Sequence, residues 1–208
     1  MSLQEHLAAD ERAVLIGHDW GAPIVYTTAS ASPDRWSRVV GMAVPPGSAL
    51  GSAFLTDTDQ LKRSWYMFFF QTPLAEMVVP ADDLAFIDMI WSDWSPGYDA
   101  SDDLPRVKDT IRDPANLAAA IGYYRATLGG VGLRDDLADV QSAGQTVPEH
   151  PLLYLHGTDD GCIGESVAAL AAAEVPDNVR IETIAGAGHF LHLEQPDTVN
   201  QHIVGFLS

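Results

Sequence analysis

Ala13-Val14-Leu15-Ile16-Gly17-His18-Asp19-Trp20-Gly21-Ala22 is the stretch that decides the fold. Residues 13–16 form a short apolar run that reads as a strand, and residues 22–32 read as a helix. Between them Gly17-His18-Asp19-Trp20-Gly21 has the G-x-nucleophile-x-G form of a strand bent sharply into a helix. The two glycines are expected because a side chain at either position would collide with the neighbouring strand or helix. The middle residue is held in a strained conformation above the sheet. The N–H that follows it faces the reacting atom at the positive end of the helix. The bland alternative is a helix N-cap Asp in a glycine-rich turn.

The middle residue is Asp19 rather than serine. A carboxylate is ionised at pH 7 and needs no base in order to attack. Attack on a saturated carbon gives an alkyl ester, which water then cleaves at the carbonyl. That chemistry suits epoxides and alkyl halides and disfavours serine-esterase chemistry. The hydrolytic step needs a base and a group that orients it. His189 lies in Gly186-Ala187-Gly188-His189-Phe190, directly after a strand read over 179–184. Asp159 and Asp160 follow a strand read over 151–155, although Asp-Asp-Gly also makes a good turn. All three candidates sit where strands run out into loops, the edge that hosts the site of an open parallel sheet. The order nucleophile, acid, histidine is the α/β-hydrolase order.

Outward from the elbow, 39–44 is a second apolar run ended by Pro45 and Pro46, since proline stops ladder pairing. Residues 165–174 and 196–207 read as helices, and strands alternating with helices argue for a parallel sheet. Residues 47–140 differ. Aromatics cluster there, and helical stretches near 57–71, 82–92 and 114–128 are separated by acidic and proline-containing breaks. The expected organisation is a core of 1–46 with 141–208, interrupted by a helical cap over 47–140. Upstream, Leu3 and Leu7 place the end of a surface helix over 2–10.

Together these residues make the chain resemble the soluble epoxide hydrolases and the related haloalkane dehalogenases, within the α/β-hydrolases. The elbow, and Gly186-Ala187-Gly188-His189-Phe190 followed by Glu194-Gln195-Pro196, look like segments shared by both groups. The resemblance implies a mostly parallel sheet with a helical lid, and puts Asp160 rather than Asp159 at the acid position. Trp65-Tyr66-Met67-Phe68-Phe69-Phe70-Gln71-Thr72-Pro73 resembles the epoxide-hydrolase lid, with Tyr66 as its first tyrosine. Gly122-Tyr123-Tyr124-Arg125 resembles the second lid segment, with Tyr124 at the catalytic place and Tyr123 as its confounder. Opening an epoxide leaves an alkoxide, a far stronger base than a phenolate. A phenol, with a pKa of about 10, donates to it at neutral pH. A departing halide needs only N–H donors, so two lid phenols favour the epoxide over the dehalogenase alternative. Packing among the other lid aromatics is the plainer role for both tyrosines. Trp20 is expected to act through its N–H, with its indole on the pocket wall. His18 is grouped with it at the oxyanion pocket on a weaker claim, since His18, His156, His192 and His202 also suit packing or surface positions.

The sequence departs from that pattern at its start. The resemblance implies several earlier strands and a His-Gly-x-Pro loop carrying a second oxyanion N–H. Here the only His-Gly is His156-Gly157, followed by Thr158. Without those strands residues 13–17 form an apolar sheet edge, which invites association. Two explanations compete: a fragment begun at an internal Met, or a reduced protein that covers the edge by pairing with another chain, as in a homodimer. An inactive interaction module is therefore the non-enzymatic alternative.

Composition bounds the rest. The 208 residues are enough for one domain with a sizeable core. A formal net charge of -18 disfavours nucleic acid and anionic membranes as partners and says little about a small apolar epoxide. The single cysteine, Cys162, cannot form an internal disulfide and has no activating pair beside it. No apolar run reaches membrane-helix length and no signal-peptide pattern is present, so a cytoplasmic protein is expected. With no cysteine cluster and no phosphate-binding glycine loop, neither a metal nor an organic cofactor is implied.

Overall fold

Among the described residues, short β-branched and aliphatic runs punctuated by glycine build a four-stranded, fully parallel sheet. The computed structural model describes residues 13–144 and 146–208, so the helix read over 2–10 lies outside the described residues. Strand β1 (Val14–His18) leads through α1 (Gly21–Ala31) to β2 (Arg38–Met42). After the lid come β3 (Leu152–Gly157), α10 (Glu165–Glu174), β4 (Val179–Ile184), α11 (Leu191–Glu194) and α12 (Pro196–Leu207). The strands lie in the order β1-β2-β3-β4. Ile16 pairs with Val40, Val40 with Leu153, and Leu153 with Arg180.

Successive side chains in a strand point to opposite faces, and the core divides accordingly. Val39, Leu152 and Tyr154 pack on one face with Ala22, Val25 and Ala29 of α1 and Ala168 of α10. Val40, Leu153 and Leu155 pack on the other with Leu191 and Val199. Strand β3 is buried at every position because it has a paired neighbour on each side and cover on both faces. Among the described strands β1 lies at the end of the order, and Ile16 on it keeps 47% of its surface exposed.

Strand β2 ends at Met42, two residues before the sequence reading. Ala43 turns to φ 66 and the Val44 N–H closes back on the Met42 carbonyl at 2.9 Å. This left-handed residue, not Pro45, ends the ladder.

Between β2 and β3 the described residues hold no strand. Helices α2 (Ala49–Thr56), α3 (Thr58–Arg63), α4 (Trp65–Phe69), α5 (Ala75–Val78), α6 (Ala81–Trp94), α7 (Leu104–Ile111), α8 (Pro114–Gly129) and α9 (Ala138–Ala143) follow one another. The helical stretch read near 57–71 is broken at Ser64. Asp57 caps its first half, its carboxylate accepting from the backbone N–H groups of Asp59 and Gln60. Helices α2, α7 and α9 were not read from the sequence, since short helices carry little periodic signal. In α6 the residues Asp82, Asp83 and Leu84 take positive φ, so its regular part begins after them. The lid core is aromatic and aliphatic, centred on Tyr66, Phe70, Phe86, Ile90 and Trp94.

Candidate active site

The elbow places Asp19 at φ 49 immediately beyond β1. Asp tolerates this region better than most residues, and the turn is held by Asp19 N–H to the Met42 carbonyl at 3.2 Å. Gly17 is required: a Cβ there would stand 2.1 Å from the Gly21 carbonyl oxygen. Gly21 is not required for the reason the sequence suggested. A Cβ there meets nothing within 4 Å among the described residues, because it opens α1 and points away from the crowded inside of the bend.

His189 Nε2 lies 3.5 Å from Asp19 Oδ1, and His189 Nδ1 lies 3.0 Å from Asp160 Oδ2. Asp160 and His189 are both buried. Asp160 Oδ1 accepts from the N–H groups of Cys162 at 2.8 Å and Ile163 at 2.9 Å. Asp159 is exposed, its carboxylate accepting from the Thr158 hydroxyl instead. The structure thus brings Asp19, His189 and Asp160 into one line and leaves Asp159 out.

Charge sets the protonation of this line. Burial of the His189 ring would lower its pKa, but the Asp160 and Asp19 carboxylates overcome it and hold the ring at about 10. Burial pushes Asp19 up, and the His189 hydrogen bond and charge, helped by His18 and the Trp20 N–H, bring it below its ordinary value. The resting pair is a carboxylate beside an imidazolium.

Above Asp19 the lid supplies two phenols. Tyr66 and Tyr124 meet edge to face with ring centroids 5.5 Å apart, and Trp20 packs against Tyr124 at 5.1 Å. Both phenols line a cavity of about 680 Å³ together with Asp19, Trp20 and Cys162. Burial first, then neighbouring charge, raises both phenols above their ordinary pKa. Tyr123, the confounder, is half exposed and lies over the Trp20 ring. The helical rotation of about 100° between adjacent residues separates the two tyrosines.

His18 does not line the cavity. Its Nε2 bonds the His189 carbonyl at 2.8 Å, and its ring lies 4.4 Å from that of His192. Burial, with His189 and His192 nearby, pushes it down to about 4, so its neutral ring donates and pins the histidine loop from beneath. His156 is buried against the Tyr154 hydroxyl, and His202 lies on α12.

A sequence model of the α/β-hydrolase fold matches residues 3–196. This chain belongs to the α/β-hydrolase fold family. Among relatives, epoxide hydrolase 1 of Caenorhabditis elegans is 26% identical over 205 residues, covering 95% of this chain and 48% of the relative. Human epoxide hydrolase 4 is 26% identical over 203 residues, covering 94% and 53%. The chain therefore spans about half the length of these curated relatives. A mutant epoxide hydrolase from Bacillus megaterium superposes with a TM-score of 0.72 at 22% identity, over 98% of this chain and 71% of that one. An epoxide hydrolase from hot-environment metagenomes gives 0.76 at 23%, over 99% and 70%.

In this α/β-hydrolase the loops that carry Asp160 and His189 are bound to the helices between β2 and β3 through groups the sequence did not flag. The Trp94 carbonyl, at the end of α6, accepts from both Gly161 N–H and His189 N–H at 3.0 Å. The Ser95 hydroxyl accepts from Phe190 N–H and donates to Glu194, whose other oxygen accepts from Gly188 N–H. Gly188 permits this approach, since a Cβ there would stand 2.6 Å from Ser95 Cα. Gln60 of α3 reaches the far side, accepting from Gly164 N–H and donating to the Cys162 carbonyl. The periodicity that marks helices says nothing about such end-on contacts. Among the described residues, Asp160, Cys162 and His189 bring metal-ligating atoms within 4.8 Å of one another. A metal ion there would have to displace the Asp160–His189 bond. No helix among the described residues is long and apolar enough to cross a membrane.

Proposed function

We propose that this α/β-hydrolase opens a small apolar epoxide to a vicinal diol through an ester on Asp19. The observation that carries the reading is one carboxylate, paired with His189 and Asp160, lying in a cavity walled by two phenols. Asp19 attacks a ring carbon and forms the C–O ester bond as the ring C–O bond breaks. The alkoxide takes a proton from Tyr66 or Tyr124, and the phenolate regains one from solvent.

Ester formation removes the Asp19 charge. That charge is one of the two that hold His189 protonated, so the ring gives its proton to solvent more readily once it is gone, offsetting the one the phenolate takes up. Neutral His189, oriented by Asp160, then takes a proton from water as the water attacks the ester carbonyl. The Trp20 N–H faces the developing oxyanion. The tetrahedral intermediate expels the diol, which takes that proton from His189, and Asp19 passes the water's other hydrogen to His189, so the carboxylate and the imidazolium are both restored. Roles of this kind make the removal of the base visible as a trapped intermediate.

The test is His189→Gln with styrene oxide. The variant should gain the mass of one substrate molecule on the peptide that holds Asp19, with no diol released. Wild-type protein that releases halide from a chloroalkane but no diol from styrene oxide is a dehalogenase instead. Protein that forms neither product, nor any adduct in the variant, overturns the enzymatic reading.

A further inference from the structure

Cys162 sits where the acid loop, the lid and the phenols meet. It is buried, and its polar groups serve three different neighbours. Its N–H donates to Asp160 Oδ1 at 2.8 Å and its carbonyl accepts from Gln60 Nε2 at 3.0 Å. Its Sγ lies 3.3 Å from the Tyr66 hydroxyl and lines the same cavity as Asp19. Burial, then the Asp160 and Asp19 carboxylates, keeps the thiol protonated. Burial likewise keeps Tyr66 protonated. Two hydrogens therefore meet at one contact, and only one can lie along it. Either atom can donate across it, and with the S–H pointing at the phenol oxygen the phenol hydrogen is not spent on the sulfur. The phenol's own hydrogen is then left for the side it shares with the Tyr124 hydroxyl and the cavity, and a hydrogen bond received at its oxygen polarises it as a donor.

We propose that Cys162 is a positioning residue for Tyr66: its S–H, fixed through the backbone by Asp160 and Gln60, donates to the phenol oxygen and aims the phenol's hydrogen at the oxygen of an opening epoxide ring. The inference rests on the reading of Tyr66 as a proton donor. The thiol keeps its proton throughout, and the proton transferred is the phenol's.

Two measurements test it. The chain has one cysteine, so the S–H stretching band in the infrared belongs to Cys162 alone. Tyr66→Phe should move that band to higher frequency; a band that stays in place overturns the contact whether or not the protein is active. In stopped-flow mixing with styrene oxide, Cys162→Val should slow ester formation about three- to tenfold, the span of one weak neutral hydrogen bond. Ester hydrolysis should proceed as in the wild type, and Cys162→Ser, which keeps a donor, should restore ring opening. Val and Ser variants that slow both steps alike show a packing role and overturn the proposal. Tyr66→Phe that opens the ring at the wild-type rate removes Tyr66 from the reaction, and the donor reading falls with it. A slow Tyr66→Phe beside a Cys162→Val at the wild-type rate removes only the thiol's part.

Discussion

At the residue scale, His189 is held between two carboxylates, and this links charge to folding. Its pKa rises from an ordinary 6.5 to about 10, against the opposing effect of burial. A histidine raised in the folded state contributes stability that is fully present below pH 6.5 and is lost as pH climbs through about 10. Thermal melting should therefore show the wild type losing stability across that window. Asp160→Asn, which removes the larger of the two raising charges, should flatten the slope. An unchanged slope in the variant means that His189 is not the titrating group. At this scale the residue types alone were ambiguous between neighbours, and it was the family resemblance that put Asp160 and Tyr124 ahead of Asp159 and Tyr123. Asp159 and Asp160 are chemically identical, as are Tyr123 and Tyr124. Only the direction in which each side chain leaves its loop or helix separates the member facing His189 or Asp19 from the member facing solvent.

At the element scale, the strand-to-helix bend is held by one tight contact rather than two. Gly17→Ala drives a methyl group to within 2.1 Å of the Gly21 carbonyl, where backbone has to shift. It should destabilise the protein by about 2–3 kcal/mol or more, in the range of overpacked buried sites. Gly21→Ala meets open space and lies in α1, so it should be neutral or stabilise by about 0.5–1 kcal/mol. Denaturant unfolding of the two variants checks both signs, and equal losses would mean that both glycines are sterically required. The strands and the longer helices were legible because hydrophobic period and glycine or proline punctuation are local signals. Helices α2, α7 and α9 were not, since a helix of six to eight residues is stabilised by what it packs on more than by its own pattern. The clamp formed by Trp94 and Ser95 was invisible for a related reason: a backbone carbonyl carries no residue signature.

At the scale of the whole molecule, a formal charge of -18 on 208 residues means that the folded chain repels itself. The described ion pairs are mostly exposed, among them Lys62–Asp59 and Arg134–Asp136, and such pairs contribute little. Screening should therefore favour the folded state. Raising ionic strength from about 0.01 M to about 0.15 M shortens the Debye length from about 30 Å to about 8 Å and should raise the melting temperature. A fall on adding salt would mean that specific ion pairs outweigh the general repulsion.

By itself the sequence determined the elbow, the chain order of Asp19, the Asp159-Asp160 pair and His189, the parallel α/β pattern and the helical stretch that interrupts it. These follow from local patterns of apolar residues, glycines and charge. Tertiary structure decided which aspartate and which tyrosine face Asp19 and His189, that His18 braces the histidine loop rather than lining the cavity, and that Cys162 touches Tyr66. Those outcomes depend on contacts between residues distant in the chain, and the distance between two side chains is fixed by packing, which no spacing along a sequence records.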